Sequence, residues 1–135
     1  MTLHNILLGA ADAASPHLEI PQQWGQGRAT FGGLLAACLF EKLKPQVAAD
    51  RPVRSLLVSF VAPVAPGPME VRVKVLRAGK AATQVQATAY QNDQACVVML
   101  ASFGGDRASA VRLDAAPAPT IKAPRPRPSF PSSPA

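Results

Sequence analysis

The side chains able to do covalent or acid–base chemistry are scattered along this chain rather than grouped. Cys38 and Cys96 sit inside the apolar runs LLAACLF and ACVVML, where a free thiol behaves as a small hydrophobe, so both are expected to be buried, reduced and inert. A disulfide between them would require an oxidising compartment. His4 and His17 have no serine, aspartate or cysteine at a spacing that builds a catalytic triad. Two isolated cysteines and two isolated histidines make no metal pattern, so no metal and no cofactor is expected. Among the acids, Asp93 falls in a turn and Asp50 in a loop. Glu41 lies well inside a helical segment, about 12 Å from its start at 1.5 Å per residue. All three read as structural or solvated. Thr30, Ser55 and Ser59 are hydroxyls able to hold a water, but no neighbouring carboxylate is there to activate it.

The elements that must position these residues follow from composition and periodicity. A length of 135 residues with 48% hydrophobic side chains allows about one domain with a real core. The net charge of +6 is misleading, because Lys122, Arg125 and Arg127 follow the last acid and leave only +3 on the rest. No basic stripe interleaved with aromatics marks a nucleic-acid surface. No apolar run approaches the roughly 18 residues of a membrane span. The first fifteen residues carry no Lys or Arg to make the charged start of an export signal. A cytoplasmic protein is the default expectation.

Half of the 14 prolines lie between Pro117 and Pro134, which divides the chain into a domain over 1–114 and a basic, proline-rich tail or linker over 115–135. Spacings such as that of Pro131 and Pro134 are compatible with an SH3-type ligand, a remote alternative to a linker. Within the domain, GLLAACLFEKLK predicts one helix over 33–44, with Leu34, Leu35, Cys38 and Leu39 on one side and Glu41, Lys42 and Lys44 near its end. Its polar face is poor, so it should be mostly buried. A short extended piece near His17 to Gln22 and the glycine-rich loop Trp24-Gly25-Gln26-Gly27 precede it. Four strands follow: VRSLLVSFV, the alternating MEVRVKVLR, ATQVQATAY, and ACVVMLASF entered through a tight Asn92-Asp93 turn. A helix that is apolar nearly all round must be wrapped by that antiparallel meander. The fold class is therefore α+β, a curved antiparallel sheet around one central helix, the hotdog architecture.

The stretch from Trp24 to Phe103 resembles the N-terminal hotdog repeat of type II (TesB-like) acyl-CoA thioesterases. The resemblance rests on an ordered series: an aromatic and a glycine pair opening the helix (Phe31-Gly32-Gly33), a strand ending in Ser59-Phe60 before Pro63, the turn Leu76-Arg77-Ala78-Gly79, and a last strand closing on Ala101-Ser102-Phe103. It implies a hydrolase, or half of one, that converts an acyl-CoA thioester to free acid and CoA. The family pairs two repeats across a proline-rich linker, so pairing with a second repeat or as a homodimer is expected. Its acid, hydroxyl and glutamine come mainly from the second repeat. Here the glutamine position is Ala101, the histidine of the middle strand is Leu57, and no carboxylate stands beside Gly32-Gly33. The alternative reading is a non-catalytic, acyl-binding half of a double-hotdog assembly.

Thioester hydrolysis needs a donor for the developing oxyanion, a positioned water and room for the acyl chain. Backbone N–H groups at a helix N-terminus supply the first without a charged side chain. Gly33 is thus the candidate oxyanion donor, with Gly32 beside it, because the missing Cβ atoms allow close approach. Equally, two glycines can simply let the helix pack closely. Trp24, Thr30, Phe31, Gly32 and Ser59 are the candidate substrate-binding residues around it. Arg54, Arg72, Lys74 and Arg77 could attract the CoA phosphates, although exposed strand faces commonly carry such charges.

Overall fold

The computed structural model describes residues 1–126. The chain opens with α1 (Leu3–Ala11), β1 (His17–Ile20) and a small ribbon, β2 (Gly25–Gln26) and β3 (Ala29–Thr30), before the central helix α2 (Gly32–Leu43). Then come β4 (Val53–Phe60), β5 (Gly67–Ala78), β6 (Ala82–Gln91) and β7 (Gln94–Gly104). Five strands form one antiparallel sheet in the order β1-β5-β6-β7-β4, and α2 packs on one of its faces. This is the α+β hotdog arrangement expected from the sequence.

Local chemistry explains each part. GGLLAACLFEKL contains no β-branched residue, so nothing opposes helix after the glycine pair. Leu34, Leu35, Cys38, Leu39 and Leu43 form its buried face. They meet the inward residues of β6 and β7, Val85, Ala87, Ala89, Val97, Met99 and Ala101, which share the core. The β6–β7 hairpin turns on Asn92 (φ 49°) and Asp93 (φ 60°). Left-handed conformations at both central positions suit the right-handed twist of paired strands, and short polar side chains tolerate them best.

Three features go beyond the sequence reading. Helix α1 was not expected at all. Thr2 caps it by accepting from the Asn5 N–H at 3.3 Å, and Ile6 and Ala10 are buried in the common core. Secondly, Lys42, near the end of the helix as expected, is buried, at only 5% exposed. Its ammonium donates to the Asp12 and Ser15 carbonyls at 2.6 and 2.5 Å, tying the loop after α1 to the helix. Burial holds its pKa below the usual lysine value, against the pull of Asp12. Thirdly, β4 is a sheet edge whose residues are exposed along almost its whole length. Residues 105–126 carry no helix or strand and are exposed beyond Gly105. The Pro131 and Pro134 spacing lies outside the described residues.

Both cysteines are buried and unpaired, and burial raises the Cys38 thiol from 9.0 to about 11, with Lys42 opposing. Among the described residues, no helix is long and apolar enough to cross a membrane.

Candidate functional site

The start of α2 is built from two aromatic rings and two glycines. Phe31 is the N-cap residue and offers no side-chain cap. Its own N–H is bonded to the Trp24 carbonyl at 2.9 Å, and its carbonyl receives the Leu34 and Leu35 N–H groups at 3.1 and 3.4 Å. The Gly32 and Gly33 N–H groups come before the first helical acceptor and have no acceptor among the described residues. They project along the helix axis as free donors, carrying the positive end of the helix dipole.

The absent Cβ atoms have a separate use. A Cβ at Gly33 would stand 2.5 Å from the tip of the Phe31 ring, and one at Gly32 would stand 2.8 Å from the Phe60 ring. The glycines therefore let both rings lie against the helix. Phe60 was not among the candidate site residues, although it closes a strand that pairs Phe60 with the buried Val97. Paired residues share a sheet face, so Leu56, Val58 and Phe60, opposite Ala101, Met99 and Val97, all lie on the side facing α2. Phe31 and Phe60 remain 42% and 58% exposed. Together they form an uncovered apolar rim around two free N–H donors.

The other candidates divide by location. Thr30 is buried beside the helix start, but both its N–H and its hydroxyl donate to the Val64 carbonyl, at 2.8 and 2.9 Å, so it anchors the loop. Trp24 is half-buried against the core and reaches the site through its carbonyl. Ser59 and Ser55 pair with Val98 and Ser102 on the outer face of the sheet, away from α2, as does Leu57 opposite Leu100. Arg72 is held by Glu70 at 2.8 and 3.1 Å and lies 4.3 Å over the Tyr90 ring. Arg54 is paired with Asp106 at 2.5 Å. Lys74 and Arg77 stand exposed on β5 without an ion pair among the described residues.

Glu41 is paired with Lys44 at 3.7 Å near the far end of α2. Among the described residues, no acid forms a hydrogen bond or ion pair at the helix start, and no cluster of three potential metal ligands exists. His4 on α1 and His17 on β1 are both exposed.

A hotdog domain whose central helix begins with free glycine N–H groups under aromatic cover defines the class, and comparison gives the family. Residues 20–104 match the acyl-CoA thioesterase N-terminal domain, and the chain belongs to that family. No curated protein matches it significantly. Among solved structures, an acyl-CoA thioesterase II from Mycobacterium marinum is 28% identical with a TM-score of 0.58, covering 76% of this chain and 39% of its own. A tesB protein of Mycobacterium avium subspecies paratuberculosis is 20% identical with a TM-score of 0.62, covering 86% and 48%. A hotdog protein of unknown function from Alicyclobacillus acidocaldarius is 21% identical with a TM-score of 0.65, covering 92% and 50%. The chain thus spans half or less of the length of these three relatives.

Proposed function

We propose that this chain is the N-terminal-type half of a type II acyl-CoA thioesterase, which binds the thioester and polarises its carbonyl for attack by a water activated elsewhere. The observation that carries this reading is the pair of free Gly32 and Gly33 N–H groups framed by Phe31 and Phe60, with no acid bonded beside them. Two donors preorganised in an apolar rim can stabilise negative charge that develops on a carbonyl oxygen. They cannot take a proton from water. That step requires a base, which the second hotdog unit of the assembly supplies in this reading.

The exposed β4 edge supports pairing. Unpaired N–H and C=O groups together with Leu56, Leu57, Phe60 and Val61, all exposed, form an edge that isolated domains avoid. A second unit seated there would roof Phe31 and Phe60 and turn the rim into an acyl pocket. In this reading residues 1–114 form the hotdog domain and the proline-rich residues 115–135 serve as a tail or linker.

Binding of a non-hydrolysable acyl-CoA thioether tests the assignment. Gly33→Val drives a branched side chain into the Phe31 ring at the helix start and should abolish binding. Lys74→Ala on the outer sheet face should leave it intact. Equal binding by both variants and the parent would remove the oxyanion assignment.

A further inference from the structure

We propose that the end of the domain opposite the glycine pair holds a second binding site, for an aliphatic chain bearing a single carboxylate, with Arg51 as its anion-binding residue. A cavity of about 680 Å³ lies between the C-terminal end of α2 and the start of β4, walled by Phe40, Pro45, Val47, Ala48, Val53 and Phe103, with Glu41 also on its lining but paired there with Lys44 at 3.7 Å. That volume lies within the roughly 300–1,000 Å³ typical of small-molecule sites. Phe40 and Phe103 stack with ring centroids 6.2 Å apart, giving the cavity a firm apolar wall. Arg51 lines this cavity and also a second one of about 470 Å³, which it shares with Lys80 and Arg107. Arg51 therefore stands at the junction of an apolar groove and a cationic pocket.

The guanidinium is fixed and lacks a counter-ion. It donates to the Thr83 hydroxyl at 2.6 Å and to the Lys80 carbonyl at 3.1 Å, two neutral acceptors. A guanidinium has five N–H donors, so three remain. Among the described residues no carboxylate lies within ion-pair distance of it. Of the two acids lining the second cavity, Asp106 is taken by Arg54. Arg51, Lys80 and Arg107 thus outweigh Asp50. A partly buried, preorganised guanidinium favours a planar carboxylate, and the adjoining groove favours an alkyl chain. The nucleotide end of CoA would meet the cations but leave the groove empty. The site is about 18 Å along α2 from Gly32, at 1.5 Å per residue, so the inference stands apart from the proposed thioester chemistry.

Isothermal titration of the full chain with decanoate, decanol and free CoA tests it. Decanoate should bind saturably, and decanol roughly ten- to a hundredfold more weakly, the factor expected for losing a charged hydrogen bond. Arg51→Gln should reduce decanoate to the affinity of decanol. Ala48→Trp, at an exposed position on the groove wall, should block decanoate while leaving Arg51 and the fold in place. Any one of four results would overturn the proposal: no saturable decanoate binding, equal affinity for decanoate and decanol, undiminished binding in Ala48→Trp, or displacement of decanoate by CoA.

Discussion

At the scale of single residues, burial decides more than residue type does. Cys38 is the buried thiol its apolar run implies: burial raises it from 9.0 to about 11, so at neutral pH it is a protonated core side chain. The folded state keeps this proton in a range where the unfolded chain has lost it. The corresponding stabilisation is present in full below pH 9 and is lost as the pH rises to about 11. Its size is roughly 2–3 kcal/mol, from about 1.4 kcal/mol per pH unit. Chemical denaturation of the parent and Cys38→Ala across that range should show the parent losing this stability and the variant lacking that slope. Lys42 is the opposite case, a charge retained in the interior because two carbonyls receive it. Lys42→Met should leave the Asp12 and Ser15 carbonyls without their donor and cost about 2–4 kcal/mol, with hydrogen exchange rising first in α1. Equal exchange in α1 of both proteins would show that the clamp does not hold that helix.

At the scale of elements, the strands and α2 are legible because each has a clean pattern. The alternation of Met69, Val71 and Val73 against Glu70, Arg72 and Lys74 places β5 and its faces before any coordinates, and Asn92-Asp93 places the hairpin. The first helix is not legible in the same way. LHNILLGAA is short and its two buried residues, Ile6 and Ala10, acquire meaning only once α2 is there to receive them. The burial of Lys42 is hidden for a related reason: helical position alone gives no hint that a distant loop turns two carbonyls toward it. The glycine pair was singled out from sequence, but Phe60, which lies over Gly32, comes from a strand more than twenty residues further on, and its approach is a tertiary fact. Gly32→Ala therefore belongs to this scale. Its methyl would displace the Phe60 ring, a flexible and exposed side chain, so acyl-CoA affinity should fall while the melting temperature changes little. A large drop in melting temperature with intact affinity would make the glycine purely architectural.

At the scale of the whole molecule, the unsettled surface is the β4 edge. Its outer and inner apolar residues, Leu57 at 60% and Phe60 at 58% exposure, lie beside unpaired backbone groups, and a second hotdog unit would cover all of them at once. Leu57→Lys should convert an associating chain into a monomer by light scattering at micromolar concentration, because a charge on an edge opposes pairing. An unchanged mass would put the contact elsewhere. In the proposed reading such pairing completes the chemistry: this chain would contribute oxyanion donors and part of an acyl pocket, and its partner the base. Thiol release from an acyl-CoA measures this directly, with residues 1–135 alone and with a second hotdog repeat supplied in cis or as a separate chain. A positioned acid or base contributes about 10²–10⁴-fold, so the chain alone should turn over hardly at all and the second repeat should restore the rate by that order. Full activity from residues 1–135 alone would contradict the account and place the water-activating group within this chain.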